Sequence, residues 1–281
     1  MTDDKYPPES GRRRFVKGVV GGSALAGVTA TGATAVESST MDTGEGGGTT
    51  PFVGAENVAG PARRAMPQIP LELDGDGYLR GVWPEVEEVE RGGETVAVAE
   101  TELGGRTYSS KWFQYCGAQN YPGVQPDTDQ DNYIRYSSRA PYEWQEEMEP
   151  GAKVHIDDLQ GYETWGNGIG KSGLGKPARC RWRSENLPKE KENLVLPVVL
   201  VRSPKIESAA TDDEWLAAST VQGTVAIFDK CTHFCCTPGF KETEGSAKFD
   251  AENKLYCGCH QSVYDPFNLV ERVFTALPRS K

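Results

Sequence analysis

Seven cysteines and three histidines carry the most specific chemistry in this 281-residue chain, and most of them fall in two short stretches near the C-terminus. The first is Cys231-Thr-His233-Phe-Cys-Cys236 and the second is Cys257-Gly-Cys259-His260-Gln-Ser262. Each offers one Cys and one His within a few residues, so each can clamp one side of a metal centre. Thiolate sulfurs suit iron and zinc, while neutral imidazoles suit a more oxidising iron. A structural zinc site uses the same atoms.

The type and order of these residues resemble the Rieske [2Fe–2S] family, specifically the high-potential subunits of quinol-oxidising cytochrome bc-type complexes. Its loops read Cys-Thr-His-x-Gly-Cys and Cys-Pro-Cys-His-x-Ser-x-Tyr. The resemblance covers roughly the last sixty residues and implies one [2Fe–2S] cluster, with Cys231 and Cys257 on one iron and His233 and His260 on the other. It further implies a Cys236–Cys259 disulfide tying the loops together. Ser262 and Tyr264 would donate hydrogen bonds to a cluster sulfide and to a ligand sulfur, which stabilises the reduced form and raises the potential. His260 is the implied catalytic ligand, facing quinol and coupling proton to electron transfer; the symmetry of the loops leaves His233 as the other candidate.

Three departures from the family pattern stand out. Cys235 occupies the position of the family's Gly, where the backbone turns tightly. The 23 residues between the loops, Phe234 to Tyr256, outnumber the family's and suggest an extended hairpin. The shielding Gly-Pro-x-Pro segment is missing as such, Ala276-Leu-Pro-Arg279 being the nearest candidate.

By the same resemblance the chain is an electron-transfer subunit. It would accept an electron from membrane quinol beside a cytochrome b-type membrane subunit and pass it to a cytochrome or a small copper protein. That makes it a redox subunit of a quinol:acceptor oxidoreductase complex rather than a stand-alone enzyme. Alternatives are the Rieske small subunit of a molybdenum oxidase such as arsenite oxidase, and a structural zinc-binding protein. A Rieske oxygenase also needs a mononuclear iron held by two His and a carboxylate, and only His155 remains to supply one. The net charge of −11 argues against nucleic acid, whose phosphates select basic surfaces.

Cys116, Cys180 and Cys235 are left over, and an odd remainder means at least one free thiol or an intermolecular bond. Cys116 and Cys180 could pair in an oxidising compartment or stay as two buried thiols. A stable disulfide places the head outside the cytoplasm.

The elements that must position these loops give a mainly β fold class. The expectation is a Rieske-type antiparallel β head with a cluster-binding subdomain, preceded by an N-terminal transmembrane signal-anchor helix. Residues 1–17, with Arg12-Arg-Arg-Phe15, resemble the cytoplasmic n-region of a twin-arginine (Tat) export signal. Residues 18–36 are uncharged and as a helix reach about 28 Å, close to the hydrocarbon core. They read as a single-pass anchor, with cleavage after Ala35 the alternative. The positive flank keeps the N-terminus inside and the head on the extracytoplasmic side of the cell membrane. Residues 37–62, rich in Ser, Thr and Gly, read as a flexible linker. Residues 63–222 form a base β region with an aromatic-rich insertion, and 223–281 the cluster-binding region. Within these, Thr95–Ala99, Leu194–Val201, Val225–Phe228, Lys254–Tyr256 and Val270–Phe274 read as strands, with Pro197 pushing its strand toward an edge. Val154–Asp157 also looks like a strand. Thr211-Asp-Asp-Glu214 has the pattern of a capping box opening a short helix.

Overall fold

In this computed structural model residues 49–91, 94–116, 131–185 and 195–275 are described. The n-region expected at 1–17, the anchor expected at 18–36 and residues 37–48 lie outside them. No helix among the described residues is long and apolar enough to cross a membrane. Strand outweighs helix, 40% to 15%, so the fold is mainly β.

Along the chain the strands are β1 (Thr49–Ala59), β2 (Met66–Ile69), β3 (Leu71–Leu73), β4 (Leu79–Gly81), β5 (Val86–Arg91), β6 (Glu94–Leu103), β7 (Arg106–Ser109), β8 (Arg135–Tyr136), β9 (Lys176–Trp182), β10 (Leu196–Arg202), β11 (Thr224–Phe228), β12 (Gly239–Phe240), β13 (Leu255–Cys257) and β14 (Ser262–Thr275). Nine of them form one antiparallel sheet in the order β12-β13-β14-β1-β2-β11-β10-β9-β8. β3–β4 and β5–β6–β7 are smaller sheets. Two short helices, α1 (Pro204–Ala209) and α2 (Glu214–Ser219), lie between β10 and β11.

The period-2 alternation of strand side chains divides the interior in two. On one face Val198 and Leu200 of β10 and Ala226 and Phe228 of β11 join a large core with Trp112, Phe113 and Trp182. On the other, Val199, Val201, Val225 and Ile227 join a second core that contains Cys231, Cys257 and Tyr264. This explains why Thr224–Phe228 is buried throughout and reads as a continuous apolar run. The candidate ligands sit on the back of the sheet, and the aromatic-rich insertion packs on its front.

Several expectations need correction. The linker reading over 37–62 extends too far, because Thr49–Ala59 forms β1, paired with both β14 and β2. Its Phe52-Val-Gly-Ala55 run is apolar enough to be drawn into the sheet, and all four residues are buried. Pro197 does not mark an edge: β10 is flanked by β9 and β11, and Pro197 precedes the first residue paired with β11. Val154–Asp157 is not a strand. His155 instead caps a 3-10 helix, Ile156–Leu159, its Nδ1 accepting the Asp157 N–H at 3.2 Å. The helix expected after Thr211 begins at Glu214 and is capped by Asp213, which accepts the Leu216 N–H. The inter-loop segment is no extended hairpin either. β12 and β13 share only two residue pairs, and a 3-10 helix, Glu244–Phe249, fills the space between them.

Candidate metal centre

β11 delivers the first loop. Asp229, fully buried just after that strand, pairs with the buried Arg179 of β9, which also pairs with Glu242 beyond β12. One guanidinium thus fixes the chain on both sides of Cys231–Cys236. Within the loop the Cys231 N–H donates to the Cys236 carbonyl at 2.7 Å, and the Cys235 N–H to the Cys231 carbonyl at 2.9 Å. Cys235 takes a left-handed φ of 62°, which costs a residue with a Cβ roughly 1–2 kcal/mol. β13 delivers the second loop, where Cys257 pairs with Ser262 across the hairpin. Its Cys257 carbonyl accepts the Gln261 N–H at 2.9 Å, and Gln261 has φ 65°.

The two turns bring the four predicted ligands together in two pairs, sulfur with sulfur and imidazole with imidazole. The imidazoles of His233 and His260 meet edge to face, with centroids 4.9 Å apart and planes at 85°. Cys231 and Cys257 are each 1% exposed and their side chains touch. The contact between the two sulfurs holds Cys231 below the usual thiol range, with the Tyr264 hydroxyl adding to that effect. The same contact pushes Cys257 up. His233 is half-buried and His260 exposed. The Nδ1 of His233 is buried and has no hydrogen-bond partner. A buried imidazole nitrogen without a partner is costly, and coordination to a metal would satisfy it. Two cysteine sulfurs in contact, two imidazoles edge to face and this orphaned nitrogen fit a [2Fe–2S] cluster held by two Cys and two His.

Around the ligands, Tyr264 accepts the Thr232 N–H at 3.1 Å, and its hydroxyl lies 3.2 Å from the Cys231 sulfur. It is also 3.2 Å from Thr232 Oγ1. Thr232 spends its own hydroxyl hydrogen on the Arg64 carbonyl at 2.6 Å. With the Thr232 hydroxyl hydrogen spent on Arg64, the phenol hydrogen is free to point at the Cys231 sulfur. Ser262 is fully buried and its Oγ accepts the Ala62 N–H at 3.2 Å, which leaves its hydroxyl hydrogen for another acceptor. Residues 62 and 64 therefore tie the second and first loops, respectively, to the segment between β1 and β2.

Two disulfides are present. Cys236–Cys259 joins the loops. Cys116–Cys235 joins the first loop to the segment after β7, leaving Cys180 as a buried free thiol. Burial pushes the Cys180 thiol up. Of the open options for the three remaining cysteines, the Cys116–Cys180 pair is not formed. Sequence reasoning missed the Cys116–Cys235 bond, and also the roles of Arg179, Asp229, Thr232 and Tyr115. The one signal for the bond was Cys235 itself, a second cysteine at the tightest point of the turn. Ala276–Arg279, the candidate shielding segment, lies outside the described residues. No protein-family profile matches the chain, and no curated protein or solved structure matches it at a significant level. The chemistry of the site follows from its own residues.

Proposed function

We propose that the chain is a Rieske-type iron–sulfur electron-transfer subunit of a quinol-oxidising, cytochrome bc-type complex. It takes an electron from membrane quinol and hands it to a cytochrome or small copper protein. The observation that carries this reading is the segregation of the ligand atoms. Sulfur meets sulfur and imidazole meets imidazole. The set of His, Cys and carboxylate ligand atoms that crowd within 4.8 Å of one another among the described residues is Cys236, Cys257 and Cys259. Two of those sulfurs are spent on a disulfide. Ligands of one zinc, about 2.0–2.3 Å from the ion, all lie within about 4.6 Å of each other, and no three of Cys231, His233, Cys257 and His260 do so. A two-metal centre, sulfur on one side and nitrogen on the other, suits a set divided this way.

Cys231 and Cys257 would hold one iron, and His233 and His260 the other. When bound, such a cluster supplies reversible one-electron transfer. Burial of both cysteines keeps water from the sulfur side. Tyr264 orients its hydroxyl on Cys231 and stabilises negative charge there. His260, the exposed imidazole, is the ligand placed to accept a quinol hydroxyl's hydrogen bond and hold its proton at the outer ring nitrogen. Disulfides persist in oxidising compartments, which supports a head outside the cytoplasm, delivered by the Tat-type segment and anchored by residues 18–36.

Metal and acid-labile sulfide analysis, with low-temperature EPR of the reduced protein, tests the centre. Two irons and two sulfides per chain with a spectrum of mixed Cys/His ligation are expected; zinc without sulfide overturns the reading. Quinol-dependent reduction in membranes tests the partner. Its absence, with a molybdenum subunit copurifying, overturns the bc-type assignment.

A further inference from the structure

We propose that the Cys116–Cys235 disulfide is a positioning element of the first loop, helping to set where His233 stands relative to the body of the protein. The inference rests on the reading of the loops as a [2Fe–2S] site. Both ends of the bond lie in the left-handed region, Cys116 at φ 56° and Cys235 at φ 62°. Neither is a glycine, and such conformations persist where the surroundings over-determine them. Here three ties do so. The disulfide itself spans 119 residues. The Tyr115 hydroxyl donates to the Lys230 carbonyl at 2.9 Å, with its ring 5.1 Å from that of Phe228. Cys116 Sγ lies 3.9 Å from the Cys231 carbonyl oxygen, a packing contact because a disulfide sulfur has no hydrogen to give. Residues 230, 231 and 235 are thus all held by one short segment, and His233 lies between them.

The Cys236–Cys259 bond cannot do this work. It joins loop to loop, so by itself it lets both move together. Cys116–Cys235 refers the first loop to the front face of the sheet, where Trp112 and Phe113 are buried. The prediction is that the spacing of His233 from His260, and with it the environment of the nitrogen-bound iron, responds to the state of this bond.

Non-reducing peptide mapping of the full-length protein should first recover the cross-linked 116–235 peptide. The decisive variant is Cys116→Ser/Cys235→Gly, since glycine accepts the left-handed turn without a side-chain penalty. It should retain wild-type far-UV circular dichroism, iron and sulfide. Its reduced EPR spectrum should shift and broaden, and iron should pass to a chelator at least about tenfold faster than from wild type. Cys116→Ser alone, which leaves Cys235 in the same turn without its partner, should release iron faster still. Brief dithiol treatment of the wild type, scored by mapping for molecules opened only at 116–235, gives the same readouts without any substitution. An unchanged spectrum and release rate in the opened protein, or a map that pairs Cys116 elsewhere, overturns the inference. Wild-type protein without iron and sulfide overturns the cluster reading, and the inference with it, which separates the two failures.

Discussion

In the first loop the Cys231 carbonyl accepts the N–H of the residue four positions on, and in the second the Cys257 carbonyl does the same, both at 2.9 Å. Both turns close on a residue with φ near 62–65°. The backbones are close copies, but their surroundings are not. The first loop is tied by the Arg179–Asp229 pair, the Thr232–Arg64 bond, Tyr115 and a disulfide of its own. The second depends on the β13–β14 hairpin and on Ser262, and Gly258 to Gln261 are exposed. One turn therefore serves two duties. The anchored copy buries its imidazole nitrogen, and the other copy leaves its imidazole exposed.

The contrast can be broken or sharpened by experiment. The largest effect is expected where the loops are equal: Cys231→Ser and Cys257→Ser should each abolish iron binding, measured as iron per chain. Retention by either one breaks the four-ligand scheme. Next comes Arg179→Leu, which leaves Asp229 buried without a counter-charge and should cost about 3–5 kcal/mol in chemical unfolding. Amide exchange should quicken around Cys231–Cys236 while the β13–β14 hairpin keeps its protection. The Cys236→Ser/Cys259→Ser variant, which opens a bond closing 23 residues, should lose about 3 kcal/mol, roughly 6–12 °C in Tm. There the order reverses: the second loop should exchange first, because the first keeps its other ties. Equal loosening would show that the ties of the first loop are dispensable. The smallest change is Tyr264→Phe. Removing one hydrogen bond to Cys231, worth roughly 1–1.5 kcal/mol, should lower the midpoint potential by roughly 45–65 mV, read by redox titration.

The candidate ligands were legible because they are local. Cys231 and His233 lie two residues apart, Cys257 and His260 three, and ligand type with spacing survives without knowledge of the fold. The strands that deliver them were legible too, as β11 is apolar on both faces and carries a period-2 pattern into two cores. What was hidden lies in long-range pairs. Nothing near Cys116 announces Cys235, and nothing in Arg179 announces Asp229, since a charged residue in a strand ordinarily faces water. Pro197 misled because its lack of an N–H reads as an edge, whereas here it sits just before pairing with β11 begins. Thr49–Ala59 misled because its Ser/Thr/Gly-rich flank masks a short apolar run.

β14 is 14 residues long and starts at Ser262, where the second loop closes; it pairs with β1, from the other end of the described chain, from Thr49↔Thr275 to Ala59↔Val263, with two register shifts on the way. The candidate metal-binding residues therefore cannot be excised as a minidomain. A peptide holding only the final sixty residues would carry every candidate ligand yet present a bare strand margin. It should multimerise through that margin before it could bind iron.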